Sequence, residues 1–195
     1  NALRVIYVCV RFCFCGPSGS GKTSICKRLL EEVENLETSI STTTRAPRGK
    51  EQDGIAYYFV SEKEFQQKIK DEDFIEYAEF SGNWYGTEKR NITRAKDAGN
   101  DLLLDIEVQG VAQLKKLFPE NVVTVFLIPP SFEELEKRIR GRGTEDEKKI
   151  QRRLQTARKE IEILSSEGFA DHKLINDDLE ESIAQAKELI LDERS

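Results

Sequence analysis

The sequence predicts an α/β fold, a parallel sheet covered by helices on both faces, and three features lead there. Short apolar runs suited to buried strands, Phe12-Cys13-Phe14-Cys15, Leu102-Leu103-Leu104 and Val122 to Ile128, alternate with segments of helical period. The first of these runs directly into Gly16-Pro17-Ser18-Gly19-Ser20-Gly21-Lys22-Thr23, and Ile25, Leu29 and Leu30 follow at helical spacing. The length, 195 residues, suits one well-buried core with room for a smaller inserted subdomain.

The glycine-rich stretch is the organising element. Its spacing lets successive backbone N–H groups curl around a phosphate, and the helix that begins there turns its positive end toward the same anion. Lys22 supplies a point charge for the outer phosphates and Thr23 a hydroxyl for Mg²⁺. Strand, loop and helix together predict a nucleoside triphosphate site.

Composition narrows the partners. The 36 acidic residues outnumber the 30 basic ones for a net charge of −6, which disfavours a binder of nucleic-acid polymers. The longest apolar stretches, Val5 to Val10 and Val122 to Ile128, fall short of the roughly 20 residues of a membrane span, and Arg11 interrupts the first, arguing against a secretory signal. Cys9, Cys13 and Cys15 share a strand parity and Cys26 sits in the first helix; their spacing lacks the paired knuckles of a zinc site, so they are read as buried reduced thiols of a cytoplasmic protein.

Val5 to Cys15 reads as the first strand and Glu37 to Ile40 as the second, leading into Ser41-Thr42-Thr43-Thr44-Arg45-Ala46-Pro47-Arg48. Arg45 and Arg48 alone are compatible with solvated loop charges. Beside Tyr57-Tyr58 they suit a phosphate clamp, with guanidinium forks and phenol donors. Ser61 with Glu64 fits a capping box for a helix carrying Phe65 and Ile69. Phe74 to Phe80 alternates so that Phe74, Glu76, Ala78 and Phe80 share one face. Glu76 is then either an edge residue or a carboxylate awaiting a ligand with paired donors. Ser81 to Thr87 reads as a glycine-flanked turn presenting Tyr85 and Thr87.

A helix over about 88–98 ends at Gly99, and the next strand ends in Asp105, the form of an acid contacting Mg²⁺ or its waters, with Glu107 two residues on. Helices through Leu114 and Leu117, and from Ser131 through Ile139, flank the strand Val122 to Ile128. The run Arg138-Ile139-Arg140-Gly141-Arg142-Gly143-Thr144, followed by a helix bearing Arg152, Arg153 and Arg158, reads as a solvated face or as a lid whose arginines neutralise a transferred group. His172 is taken as a surface or satisfied residue. Leu174 to Asp178 reads as a last short strand before a terminal helix.

From about Phe14 to Leu191 the chain resembles the guanylate kinase family. Gly-Pro-Ser-Gly-Ser-Gly-Lys-Thr, Ser-Thr-Thr-Thr-Arg-Ala-Pro-Arg, Phe-Ile-Glu-Tyr-Ala, Gly-Asn-Trp-Tyr-Gly-Thr, Asp-Ile-Glu-Val-Gln-Gly, Gly-Arg-Gly-Thr-Glu and Ile-Asn-Asp-Asp occur in the family's order. The resemblance implies a P-loop kinase core (1–40, 89–140 and 153–195), an inserted GMP-binding subdomain over about 41–88 and a helical lid over about 141–152. It implies transfer of the γ-phosphoryl of ATP to GMP with Mg²⁺, giving ADP and GDP. ATP contacts then fall on Gly16, Ser18, Gly19, Ser20, Gly21, Lys22, Thr23, Ser24 and Asn176, with Thr23 toward the metal and Asp105 through water. Arg45, Arg48, Glu51, Tyr57 and Tyr85 resemble the family's GMP phosphate site, and Ser41, Glu76 and Thr87 its guanine readers. Asp105 and Glu107 resemble its acids between the nucleotides, Glu107 standing where aspartate is expected. Arg138, Arg142 and Arg153, with Lys22, resemble its transfer cations. The rival reading is a non-catalytic scaffold module that binds phosphorylated proteins; such modules have generally lost the lysine equivalent to Lys22. A kinase for another nucleoside monophosphate is the second rival, and the guanine readers argue against it.

Overall fold

Most expected strands and helices form close to where local signals place them; the first strand is described from Arg11, the Val5 to Val10 part of its expected span lying outside the described residues, and the last ends at Ile175 rather than Asp178. The computed structural model describes residues 11–80, 82–106, 108–141, 146–166 and 168–195, apart from the side chain of Gln109. In chain order the elements are β1 (Arg11–Cys15), α1 (Lys22–Glu32), β2 (Leu36–Thr38), β3 (Thr42–Thr43), β4 (Tyr58–Phe59), α2 (Glu62–Lys70), β5 (Phe74–Phe80) and β6 (Asn83–Glu88). They continue with α3 (Lys89–Ala98), β7 (Asp101–Asp105), α4 (Val108–Leu117), β8 (Val122–Ile128), α5 (Phe132–Arg140), α6 (Glu147–Ser165), β9 (His172–Ile175) and α7 (Leu179–Glu193). The fold is mixed α/β, with a mostly parallel sheet and flanking helices, and it divides into two compact units. One comprises Arg11 with Asn35–Val122, the other Phe12–Glu34 with Val123–Ser195.

In the unit that begins at Phe12, β9 pairs parallel to β8, from Val125 opposite His172 to Ile128 opposite Ile175. Phe12, Cys13, Phe14 and Cys15 are wholly buried, as are Val125, Phe126 and Leu127, the mark of strands covered on both faces. Cys13, Cys15 and Cys26 are buried and in no disulfide among the described residues; Cys9 lies outside the described residues. Leu135 and Ile139 of α5 pack with Ile150, Leu154 and Ala157 of α6. Ser131, Asp146 and Asp178 cap α5, α6 and α7 with side-chain oxygens that accept from the N–H of Glu134, Lys149 and Glu181.

In the other unit β2 pairs parallel to β7, and a separate four-stranded sheet runs in the order β4-β3-β6-β5. The capping box of α2 forms as expected: Ser61 Oγ accepts from Glu64 N at 3.2 Å and Glu64 Oε2 from Ser61 N at 2.8 Å. Gly99, in the left-handed region at φ 71°, closes α3.

Two local expectations change. The glycine-flanked turn expected over 81–87 is largely strand, because β6 begins at Asn83 and pairs antiparallel with β5, from Phe80 opposite Asn83 to Glu76 opposite Thr87. The aromatic and β-branched residues Trp84, Tyr85 and Thr87 suit a pleated surface. The face shared by Phe74 and Glu76 is also interrupted, since the register shifts between them. Phe74, Ile75 and Glu76 are all buried, as an extra residue at the shift allows, while Phe80 at the strand end is 44% exposed.

The small sheet is tied together by a buried acid. Glu88, only 4% exposed, accepts from the Thr42 hydroxyl of β3, from Lys68 Nζ of α2 at 3.1 Å and from Arg90 Nη2 at 3.0 Å. The Arg90 guanidinium in turn lies 3.7 Å from the Tyr58 ring centroid. Burial pushes the Glu88 carboxyl up, but the Thr42 and Lys68 hydrogen bonds and the Arg90 charge outweigh it and hold the group below its ordinary value. A depressed native pKa contributes stability that is present above the unfolded value of about 4.3 and lost as pH falls through the native one. Glu88→Gln is expected to lower the unfolding free energy in urea by about 2 kcal/mol at neutral pH. The gap to the parent closes below about pH 4; a gap that persists in acid contradicts the charged network.

Candidate functional site

Two clusters of polar side chains stand out, one in each unit. The first surrounds the glycine-rich loop between β1 and α1. Gly21 is the N-cap of α1 at φ 90°, and no side chain caps the helix, so its first N–H groups face a place where an anion is favoured. A Cβ on Gly21 would lie 2.0 Å from Asn176 Nδ2, so glycine is required there both by backbone angle and by close approach. Asn176, buried after β9, donates through that nitrogen to Ser20 O at 2.7 Å, and its own N–H donates to Ile128 O at 2.8 Å. Arg138 Nη1 donates to Asn176 O at 3.1 Å, and Arg138 Nε to Glu134 at 3.1 Å. Ser20 Oγ is buried with no hydrogen-bond partner among the described residues. An unmatched buried hydroxyl is costly, and a bound oxyanion would satisfy it.

Ser18, Thr23 and Ser24 are exposed at the loop and the first turn of α1, with Lys22 and Gly16 partly exposed beside them. The structure thus brings together the loop residues, Asn176 and Arg138. Arg153 sits half-buried on α6, while Arg142 and Glu107 lie outside the described residues.

The second cluster has two neighbouring parts. Arg45, 8% exposed, forks its Nη2 onto both Glu51 carboxylate oxygens at 3.0 Å, and Arg48 N donates to Glu51 Oε2 at 2.7 Å. The Arg45 side-chain bond, then the Arg48 N–H, hold the Glu51 carboxyl below its ordinary value. Arg45 also lies 5.3 Å from the Tyr57 ring centroid, and Tyr57 meets Tyr85 edge-on at 6.2 Å. Burial, followed by the Asp105 charge, holds the Tyr57 phenol above its ordinary value, so it is a neutral donor at neutral pH. Arg48 keeps its side chain in solvent.

The other part lies on β5 and β6. Glu76, 5% exposed, faces Thr87 directly across the strand pair. Thr87 Oγ1 is buried with no partner among the described residues, a second orphaned hydroxyl. Ser41 immediately precedes Thr42, which pairs with Gly86, so the β3 register brings it to the same end of the sheet. Asp105 ends β7 exposed. Supporting residues escaped the sequence reading. Asn91 pairs both backbone groups of Ile40, and Gln113 both those of Tyr77. The available signals were an asparagine on the apolar side of α3 and a glutamine one turn after Gly110.

The arrangement suits a nucleotide in each cluster: main-chain N–H groups and a lysine in one, arginine, phenols and a buried carboxylate in the other. Among the described residues no group of three or more His, Cys, Asp or Glu is placed to hold a metal by itself, and no helix is long and apolar enough to cross a membrane.

The sequence model of the family described as Guanylate kinase matches residues 11–193. The chain is 45% identical over 179 residues to the guanylate kinase of Desulfitobacterium hafniense, covering 92% of this chain and 88% of that one. It is 46% identical over 177 residues to the guanylate kinase of Schizosaccharomyces pombe, covering 90% and 87%. The crystal structure of guanylate kinase from Anaplasma phagocytophilum superposes with a TM-score of 0.77 at 33% identity, over 96% of this chain and 87% of that one.

Asn176→Ala removes the brace on Ser20 O and is expected to cost about 1–3 kcal/mol of stability, by leaving a buried carbonyl unmatched. Amide exchange should accelerate across residues 18–22 and stay unchanged at Tyr58 and Val60 in the other unit; equal acceleration in both would refute a local brace.

Proposed function

Since the chain belongs to the guanylate kinase family, we propose that it transfers the γ-phosphoryl of ATP to GMP through the two polar clusters described above. The observation that carries the assignment of the base is the buried carboxylate of Glu76 opposite the unmatched hydroxyl of Thr87. Guanine presents N1–H and an exocyclic amino group as adjacent donors, and one carboxylate accepts from both; adenine presents an acceptor at N1 to the same charge. Ser41 and Thr87 complete the base contacts. Arg45, Arg48, Tyr57 and Tyr85 hold the GMP phosphate, with Glu51 orienting Arg45 and with Asp105 and Glu107 beside the acceptor.

On the donor side, Gly16 to Ser24 wrap the ATP phosphates and Asn176 lines the base end. The chemistry calls for no protein nucleophile. A phosphate oxygen of GMP attacks the γ-phosphorus in line, and the developing charge is met by Lys22, Arg138, Arg142 and Arg153. Mg²⁺ fits the oxygen donor set: Thr23 would hold it with the nucleotide's own phosphates, where it supplies charge neutralisation. The division into a kinase core, a GMP-binding part over about 41–88 and a lid over about 141–152 belongs to the same reading. So do a cytoplasmic location and nucleotide rather than polymer partners, the latter in keeping with a net charge of −6. A phosphoprotein-binding scaffold is disfavoured because Lys22 and Thr23 are both retained.

Lys22→Ala should reduce GMP-dependent ADP release by at least about 100-fold without changing the thermal midpoint. Near-parental turnover would remove the glycine-rich loop as the donor site. The parent should discriminate against AMP by on the order of 10⁴-fold, and Glu76→Gln should cost about 2–4 kcal/mol in kcat/KM for GMP. If Glu76→Gln handles GMP as the parent does, the base is read elsewhere.

A further inference from the structure

The strand that carries Glu76 is an outer strand. In the order β4-β3-β6-β5 one edge of β5 is paired to β6, and α4 packs against β5. Two residues of α4, three apart and therefore on one face of the helix, take part in the contact. Gln113 treats Tyr77 as a neighbouring strand would: its Oε1 accepts from Tyr77 N at 3.2 Å and its Nε2 donates to Tyr77 O at 2.8 Å. Gly110 comes closer still. A Cβ there would lie 2.4 Å from Glu76 Oε2, 3.0 Å from its Cδ and 3.4 Å from its Cγ.

Nothing in the backbone asks for glycine at 110, which lies inside a helix and is absent from the chain's positive-φ glycines. Glycine in a helix interior weakens the helix relative to alanine. The missing side chain leaves its space to the Glu76 carboxylate, which is buried there within a strand whose register has shifted by one residue.

We propose that Gly110 and Gln113 are positioning residues for base selection, Gly110 by leaving room for the Glu76 carboxylate and Gln113 by fixing the main chain of the next residue. This rests on the reading of Glu76 as the guanine reader. Because the atom nearest to Gly110 is the far end of a side chain, an added methyl displaces the carboxylate and leaves the helix in place. The consequence falls on recognition of GMP and leaves folding intact.

The test compares the parent, Gly110→Ala, Glu76→Ala and the double variant, each by steady-state kinetics with GMP and by thermal unfolding. Gly110→Ala is expected to keep the parental thermal midpoint and the parental KM for ATP. Its kcat/KM for GMP should fall on the order of 100-fold, mainly through KM, as for a recognition group moved by about an ångström. In the Glu76→Ala background the same substitution should leave GMP kinetics within about twofold and raise the thermal midpoint, because the space is then empty and alanine is the better helix former. Gln113→Ala should raise the KM for GMP in the parent and not in Glu76→Ala. An undiminished response to GMP in Gly110→Ala overturns the proposal. So does an equal loss in both backgrounds, which would mark Gly110 as a helix–strand packing residue only. Failure of the underlying reading looks different, because Glu76→Ala alone would then turn over GMP as the parent does.

Discussion

A carboxylate taken out of water has to be matched by donors, and the unit around the four-stranded sheet is arranged about two of them. Thr87 and Glu88 are consecutive on β6 and so project from opposite faces of the sheet. On one face Glu88 is matched from within the chain, by a hydroxyl, an ammonium and a guanidinium contributed by β3, α2 and the start of α3. On the other face Glu76 sits opposite a hydroxyl that has no partner among the described residues. The first acid holds short strands together. The second, with similar burial, lies on β5 across from Thr87, on the face opposite to that of Glu88.

Side-chain amides recur at the places where this chain's main chain would otherwise end unpaired. Asn91 closes both backbone groups of Ile40, Gln113 those of Tyr77, and Asn176 the carbonyl of Ser20. An amide carries a donor and an acceptor, so it can replace a missing strand neighbour residue for residue. Each clipped residue adjoins one with a proposed role: Ile40 precedes Ser41, Tyr77 follows Glu76, and Ser20 precedes Gly21 and Lys22.

Phosphoryl transfer between two nucleotides is demanding in position and undemanding in protein chemistry. That fits a site made of main-chain N–H groups, cations and phenols. Close approaches recur at two glycines. Gly21 against Asn176 and Gly110 against Glu76 are both contacts at which a single methyl would collide with a polar side chain. At Gly21 the backbone angle also demands glycine; at Gly110 only the neighbour does.

The glycine-rich loop between a buried strand and a helix, the capped helix starts and the alternation of strands and helices were legible in the sequence. Each is set by neighbours within a few residues, through backbone angles, caps and apolar period. Glu76 was legible as a carboxylate among apolar neighbours, and Arg45 as an arginine in a hydroxyl-rich segment ahead of Tyr57-Tyr58. The bulge between Phe74 and Glu76, the strand in place of the turn before Thr87, the Glu88 network and the clips of Asn91 and Gln113 were not. The first two follow from how β5 and β6 pair, and the others need partners brought from farther along the chain, as Lys68 is to Glu88 and Ile40 to Asn91. Glycine at 110 shows the division most directly. Its sequence position marks only a weak point in a helix, and the reason for it is a carboxylate 34 positions earlier that only the tertiary packing brings against it.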